Sequence, residues 1–162
     1  MNFFEDIRIG DRFALGRYVF TADNIKSFAV RYDPQRFHVD EESGAQSHFG
    51  ALCASGWHTA TVFMRLFLDA RQRALGEARA RGERSADMGP ALGISELKWL
   101  RPVYAGDTLD YVSEVVALRH SGSRPRFGLM TIRTTGTKQT GYVAISFQST
   151  TFVERRSAEQ AR

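Results

Sequence analysis

The sequence predicts an α+β domain in which an antiparallel sheet curls around one buried helix. The first observation behind this prediction is the stretch 57–68, which is apolar on nearly all sides, as is typical of a helix enclosed by protein. The second is the region after Gly93, where four long segments rich in β-branched and aromatic residues are separated by turn-like breaks. A chain of 162 residues with one such helix and about five strands indicates a single domain with a substantial core.

The N-terminal part of the chain is predicted to form a strand over residues 13–20 and then a helix. Thr21 is a favourable N-cap for that helix. The apolar residues behind it fall on one face at helical spacing: Ala22, Ile25, Phe28, Ala29 and Tyr32. Pro34 ends the helix, because proline disfavours helical geometry in the residue before it. Asp33 therefore lies where a helix gives way to a loop, a common location for functional side chains.

The central helix is predicted to start at Ser55 and Gly56 and to run to about position 68. Residues 69–91 are rich in Arg, Ala, Glu and Gly. Their first part is compatible with a longer helix, and the remainder is predicted to be an exposed excursion. The predicted domain spans residues 1–153, and residues 154–162 are expected to form a frayed C-terminal tail.

Several classes of protein are disfavoured by composition alone. No apolar run is long enough to cross a bilayer, and the N-terminus lacks the apolar segment of a secretory signal. A single cysteine, Cys53, rules out an internal disulfide and a multi-cysteine zinc site. We therefore expect a cytoplasmic protein that does not contact a membrane.

The net charge of +4 comes almost entirely from arginine, with 19 Arg against 3 Lys. Such a balance suits an anionic ligand, such as a phosphate-bearing cofactor or an acidic carrier protein, and it is also what the coding bias of a GC-rich genome produces. The chain has no zinc-finger spacing, no RNP-like aromatic strand and no basic recognition helix. We therefore expect no nucleic-acid partner.

The segment "YDPQRFHVDEE" places a carboxylate and an imidazole five positions apart, at Asp33 and His38. An aspartate before a proline at a helix end is ordinary turn chemistry, and a lone histidine can be a satisfied loop residue. Together with "HFGALCASGWHTA" and "LKWLRPVYAGDTL", however, this segment resembles the MaoC-like dehydratase and (R)-specific enoyl-CoA hydratase family over roughly residues 5–153. The family's motif reads Asp-x-Asn-Pro-x-His, and this chain departs from it at Gln35 and Arg36.

The resemblance implies the hotdog fold, in which a sheet wraps a long central helix. It also implies reversible hydration of a trans-2-enoyl thioester to a 3-hydroxyacyl thioester, with Asp33 and His38 activating a water. The start of the central helix would supply an oxyanion hole from the N–H of Gly56 and, as a second donor, Trp57. The residues expected to bind substrate are Gln35, Phe37, Ser55 and Trp99. The family's strand corner is matched at residues 102–107.

The expected partner is an acyl-CoA or acyl-carrier thioester, with coenzyme A entering only as part of the substrate and with no metal ion. A long sheet leaves open edges, so a homodimer or a dimer of dimers is expected. Two other functions stay open. A hotdog thioesterase commonly uses a carboxylate on the central helix, and residues 57–68 contain none. A non-catalytic thioester-binding subunit is compatible with the departures at Gln35 and Arg36. Gly56 is also open to a plainer interpretation, as a glycine that simply starts a helix.

Overall fold

The computed structural model of the chain describes residues 3–156. A short 3-10 helix covers Phe4–Asp6. The remaining elements are β1 (Arg12–Val19), α1 (Ala22–Tyr32), α2 (Arg36–Val39), α3 (Glu41–Ala45), α4 (Gly56–Ala80), β2 (Met88–Trp99), β3 (Thr108–His120), β4 (Phe127–Lys138) and β5 (Val143–Glu154).

All five strands form one antiparallel sheet with the order β1-β3-β4-β5-β2. The long helix α4 packs against this sheet. In the core the ring of Phe63 from α4 meets that of Phe147 from β5 edge-to-face, with centroids 4.8 Å apart. The buried Tyr111 of β3 donates its hydroxyl to the carbonyl of Thr59, 2.8 Å away, and so fixes the first turn of α4 on the sheet. The α+β architecture predicted from the sequence is confirmed.

The N-terminal elements lie close to their predicted positions. The strand β1 begins and ends one residue earlier than predicted, and Thr21 caps α1 by accepting a hydrogen bond from the N–H of Asn24 at 3.2 Å. Asp33 is the C-cap of α1, so it lies at the helix–loop boundary that Pro34 was expected to create.

The central helix is longer, and the excursion shorter, than predicted. α4 continues through residues 69–80, since this stretch consists mainly of strong helix formers. Its last residue is Ala80, and Gly82 follows with a left-handed φ of 71°. The N–H of Glu83 donates to the carbonyl of Ala78 at 2.9 Å, which completes a Schellman motif. β2 then begins at Met88, so the predicted excursion over residues 69–91 reduces to a connection of a few residues.

The chain end differs from the predicted tail in its first residues. Glu154 still belongs to β5, and Arg156 forms a two-pronged ion pair with Asp6, with N–O distances of 2.6 and 2.7 Å. Residues 157–162 of that predicted tail lie outside the described residues. Within residues 3–156, no helix is both long enough and apolar enough to span a membrane.

Candidate active site

Asp33 is held by two side chains that donate hydrogen bonds to its two oxygens. Gln35 donates its Nε2 to Oδ1 at 2.9 Å, and Ser55 donates its Oγ to Oδ2 at 2.7 Å. Partial burial pushes the pKa of Asp33 upward, but these two hydrogen bonds outweigh it, with a further contribution from His38 when its ring is protonated, so the pKa lies below its ordinary value. Asp33 is therefore a fixed carboxylate near neutral pH.

His38 lies on α2 and is only 5% exposed. Its Nδ1 is 2.7 Å from the carbonyl oxygen of Cys53, and because a carbonyl can only accept, Nδ1 carries the proton. In the neutral ring Nε2 is then an acceptor, and it lies 3.6 Å from Oδ2 of Asp33. Two acceptors face each other at a separation too long for a good hydrogen bond, an arrangement suited to one water donating to both.

The start of α4 presents one free backbone donor beside this pair. Ser55 is the N-cap, and its Oγ accepts the N–H of Trp57 at 3.2 Å. The N–H groups of His58 and Thr59 reach the carbonyl of Ser55 at 3.0 and 3.3 Å. Of the first four N–H groups of α4, only that of Gly56 has no acceptor within residues 3–156. The cap thus occupies the N–H of Trp57, the expected second oxyanion donor.

Gly56 is a glycine for a reason that the sequence did not reveal. A Cβ placed there would lie 2.5 Å from the ring of Trp99, whose indole covers the start of α4. Trp99 in turn packs edge-to-face on Trp57, with centroids 5.3 Å apart. The close neighbour that requires glycine is therefore a side chain of β2.

The strand corner at residues 102–107 sets the position of the helix start. Gly106 turns the chain with a φ of 93°, and the carboxylate of Asp107 pairs with Nζ of Lys138 at 2.6 Å. The carbonyl of Val103 accepts the N–H of Ala54 at 2.7 Å, immediately before the N-cap of α4. The corner motif thus acts on the site through the backbone.

A cavity of about 450 Å³ opens between the pair and the start of α4. Seven of the eight predicted site residues line it: Asp33, Gln35, Phe37, His38, Gly56, Trp57 and Trp99. The eighth, Ser55, contacts the site through its bond to Asp33. The structure thus brings all eight together. Sequence reasoning missed Phe49 and Arg101, which also line the cavity. Arg101 lies just beyond the end of β2, and the intervening Leu100 lines the cavity as well, so strand alternation would not have identified it.

Three other candidate groups lie outside this chemistry. Burial raises the pKa of the Cys53 thiol to about 11, which makes it a poor nucleophile. His58 is buried against the ring of Phe28. Asp69 is the first carboxylate of α4, but it pairs with Arg65 at 2.9 Å and lies 13 positions beyond Gly56. Within residues 3–156 no group of three or more His, Cys, Asp or Glu side chains is arranged to hold a metal ion.

Comparison with known proteins identifies chains that are similar to this one in sequence and in structure. The family described as mesaconyl-CoA hydratase matches residues 77–162. The solved structure of the MaoC-like dehydratase from Rhodospirillum rubrum superposes with a TM-score of 0.80 at 35% identity, covering 97% of this chain and 99% of that one. The uncharacterized protein YdeM of Bacillus subtilis is 27% identical over 79% of this chain and 82% of its own length.

A match of a different kind is the mesaconyl-CoA hydratase of Haloarcula hispanica, which is 36% identical over 69 residues. These cover 42% of this chain but only 19% of that enzyme, so the chain matches about a fifth of the larger protein. This chain has a five-stranded sheet around a long helix, and it superposes over nearly its whole length on the MaoC-like dehydratase. Together these findings confirm the hotdog fold.

Proposed function

This chain belongs to the MaoC-like family of dehydratases and hydratases, and we propose that it reversibly hydrates a trans-2-enoyl thioester to a 3-hydroxyacyl thioester. The observation that carries the proposal is the pair of facing acceptors, Oδ2 of Asp33 and Nε2 of His38, 3.6 Å apart beside the free N–H of Gly56. Hydration needs an activated water, a proton for C2 and an electrophilic carbonyl, and these groups can supply all three.

The first requirement is met by the two acceptors. A water that donates one proton to Asp33 and the other to His38 turns its lone pairs toward the cavity, where C3 of the substrate would lie. Because the pKa of Asp33 is lowered, the carboxylate serves mainly to orient the water, and Nε2 of His38 accepts the proton as the C–O bond forms. The same proton then passes from Nε2 to C2, which leaves the pair as it began. Dehydration is the reverse sequence.

The third requirement, an electrophilic carbonyl, is met by stabilising the enolate-like oxygen of the thioester. The N–H of Gly56 and the partial positive charge of the start of α4 both favour negative charge there. A single donor of this kind typically contributes on the order of 3 kcal/mol to lowering the barrier. Since the N–H of Trp57 is held by Ser55, we assign this role to Gly56 alone.

We also propose that the protein is a homodimer joined through β2. Within the described chain β2 pairs only with β5, which leaves its other backbone edge open, and the strand carries three exposed apolar side chains, Leu92, Ile94 and Trp99. Both edge strands contain register shifts, and the opposite edge strand, β1, also carries the ion pair of Arg17 with Asp110. Because β2 has more exposed large apolar side chains than β1, it is the better place for a second copy to add its own β2.

The reaction is tested with crotonyl-CoA, longer enoyl-CoA thioesters and mesaconyl-CoA, by following loss of the enoyl absorbance. We expect turnover with at least one of them. Asp33→Asn and His38→Ala should each lower the rate by about 10²–10⁴-fold, because each removes one acceptor for the water. Asp23→Asn and His120→Ala are the matched controls, since both residues are exposed and neither lines the cavity.

Full activity in Asp33→Asn or His38→Ala would refute the role assigned to that residue. Release of free CoA thiol without hydration would instead indicate a thioesterase. Thermal stabilisation by acyl-CoA without turnover of any enoyl or hydroxyacyl thioester would favour the non-catalytic binding subunit.

A further inference from the structure

A second cavity, of about 300 Å³, lies beside the C-terminal half of α4. One wall is formed by Phe67, Arg71 and Ala74 of that helix, and the facing wall by apolar side chains of the sheet, including Leu15 and Ile132. Arg71 follows Gly56 by 15 positions, which at the rise of an α-helix is about 22 Å along its axis. This cavity is therefore separate from the one that contains Asp33 and His38.

Arg71 is the unusual member of the cavity wall. Its Nε is buried and has no hydrogen-bond partner among residues 3–156, and Arg71 forms no ion pair there. Three other arginines of this region are paired with carboxylates: Arg65 with Asp69, Arg81 with Glu83, and Arg84 with Glu154. A guanidinium donor left without a partner in a buried position is unfavourable, and in native proteins such a group commonly has a ligand.

The rest of the lining defines what could pair with it. The walls are otherwise mainly apolar, with Met88 and Met130 as adaptable side chains. Glu77 and Arg81 also line the cavity, but both are exposed and Arg81 is engaged with Glu83. The cavity thus offers one unpaired arginine beside mainly apolar walls, which suits a single negative charge on an apolar chain.

We propose that this cavity binds an aliphatic carboxylate of medium chain length. The carboxylate would accept from Nε of Arg71 and from a second nitrogen of the same guanidinium, the two-pronged geometry that this group favours. The hydrocarbon chain would lie between α4 and the sheet. A cavity of roughly half this volume holds a benzene molecule, so there is room for a chain of several methylene groups. A phosphate ester fits less well, because one arginine cannot neutralise a doubly charged group among apolar walls.

The proposal is tested by calorimetric titration of the full chain with decanoate. We expect saturable one-to-one binding that is about 10- to 100-fold weaker in Arg71→Met, which keeps the side-chain volume and removes the charge. Arg79→Met is the matched control, since Arg79 is an exposed arginine of the same helix that does not line the cavity. Ala74→Trp should block binding by filling the space, and decanol should bind the wild type no better than decanoate binds Arg71→Met.

Thermal melting shows whether each variant is folded. Without ligand, Arg71→Met should melt at or above the wild-type temperature, because it removes an unpaired buried donor. Equal decanoate affinity in the wild type and Arg71→Met would overturn the proposal, and so would absence of saturable binding. Binding that is lost in Asp33→Asn but kept in Ala74→Trp would place decanoate in the other cavity and would also overturn it.

Discussion

His58 shows how burial of one side chain makes stability depend on pH. It is the third residue of α4, and its ring stacks on that of Phe28 with centroids 4.6 Å apart and an angle of 4°. The ring of Phe20 packs against it edge-to-face at 5.1 Å. Its Nδ1 is buried and has no partner within residues 3–156. This burial lowers the pKa of His58 to about 4, so the ring stays neutral in the folded protein.

Acidification should therefore destabilise the fold through His58. Above about pH 6.5 the ring is neutral in both states and contributes no pH dependence. Below that value the unfolded chain takes up a proton that the folded chain refuses, so the free energy of unfolding falls until about pH 4. Between pH 7 and pH 5 the contribution is about 2 kcal/mol. Urea unfolding at the two pH values should show this loss in the wild type and a smaller loss, by about that amount, in His58→Phe; an identical loss in both would contradict it.

At the scale of the element, α4 contains two glycines in opposite situations. Gly56 lies under the ring of Trp99, whereas a Cβ added at Gly76 would have no heavy atom within 4 Å. The same substitution therefore probes a crowded helix start and an open helix surface. Comparing the two substitutions separates the effect of crowding by Trp99 at Gly56 from the general destabilisation that a glycine causes inside a helix.

Gly56→Ala should displace the indole of Trp99 and shift the start of α4. We expect a loss of about 1–3 kcal/mol in unfolding free energy from overpacking, and an enoyl-CoA hydration rate lower by about 10²-fold through misplacement of the N–H. Gly76→Ala should instead gain roughly 0.5–1 kcal/mol and keep its activity. Chemical denaturation and the hydration assay measure both. Equal behaviour of the two variants would mean that the Trp99 contact does not determine the site.

The elements also show which parts of the fold the sequence could predict. Residues 57–68 were recognisable as a helix because they are apolar on most sides. Residues 69–80 mix charged residues with alanine, so their helix propensity was the remaining indication that the helix continues. The predicted start of β2 was five residues too late. The first residues of this edge strand lack the alternation of a half-buried strand, so the sequence does not mark them. Asp33 and His38 were found by their spacing. The contact of Gly56 with Trp99 joins residues 43 positions apart, and no local pattern encodes it.

At the scale of the whole molecule, the sheet ends at β2 in an edge strand that carries exposed apolar side chains. Ile94 and Leu92 on β2 are 52% and 55% exposed, a high value for aliphatic residues of a strand. The same strand carries Trp99, which lines the proposed catalytic cavity. Dimer formation through β2 would therefore cover apolar surface and enclose the cavity in one event.

A charge placed on this edge should separate the subunits. We expect light scattering to give the mass of a dimer for the wild type and that of a monomer for Ile94→Lys, because an unpaired ammonium cannot be buried against a second β2. Ile9→Lys is the control, since Ile9 is 66% exposed and lies outside the strands. A monomeric wild type, or a dimer that survives in Ile94→Lys, would exclude this interface.

The hydroxyl of Ser55 connects Asp33 to the start of α4 through two hydrogen bonds. Its single proton is donated to Asp33, and one of its lone pairs accepts the N–H of Trp57, so two hydrogen bonds connect the backbone of α4 to the carboxylate. Because Ser55 is part of the cap of α4, sliding of the helix along its axis would stretch the hydrogen bond between Ser55 and Asp33. A thioester that displaces the start of α4 is consequently expected to shift Asp33, 22 positions upstream, through this hydrogen bond.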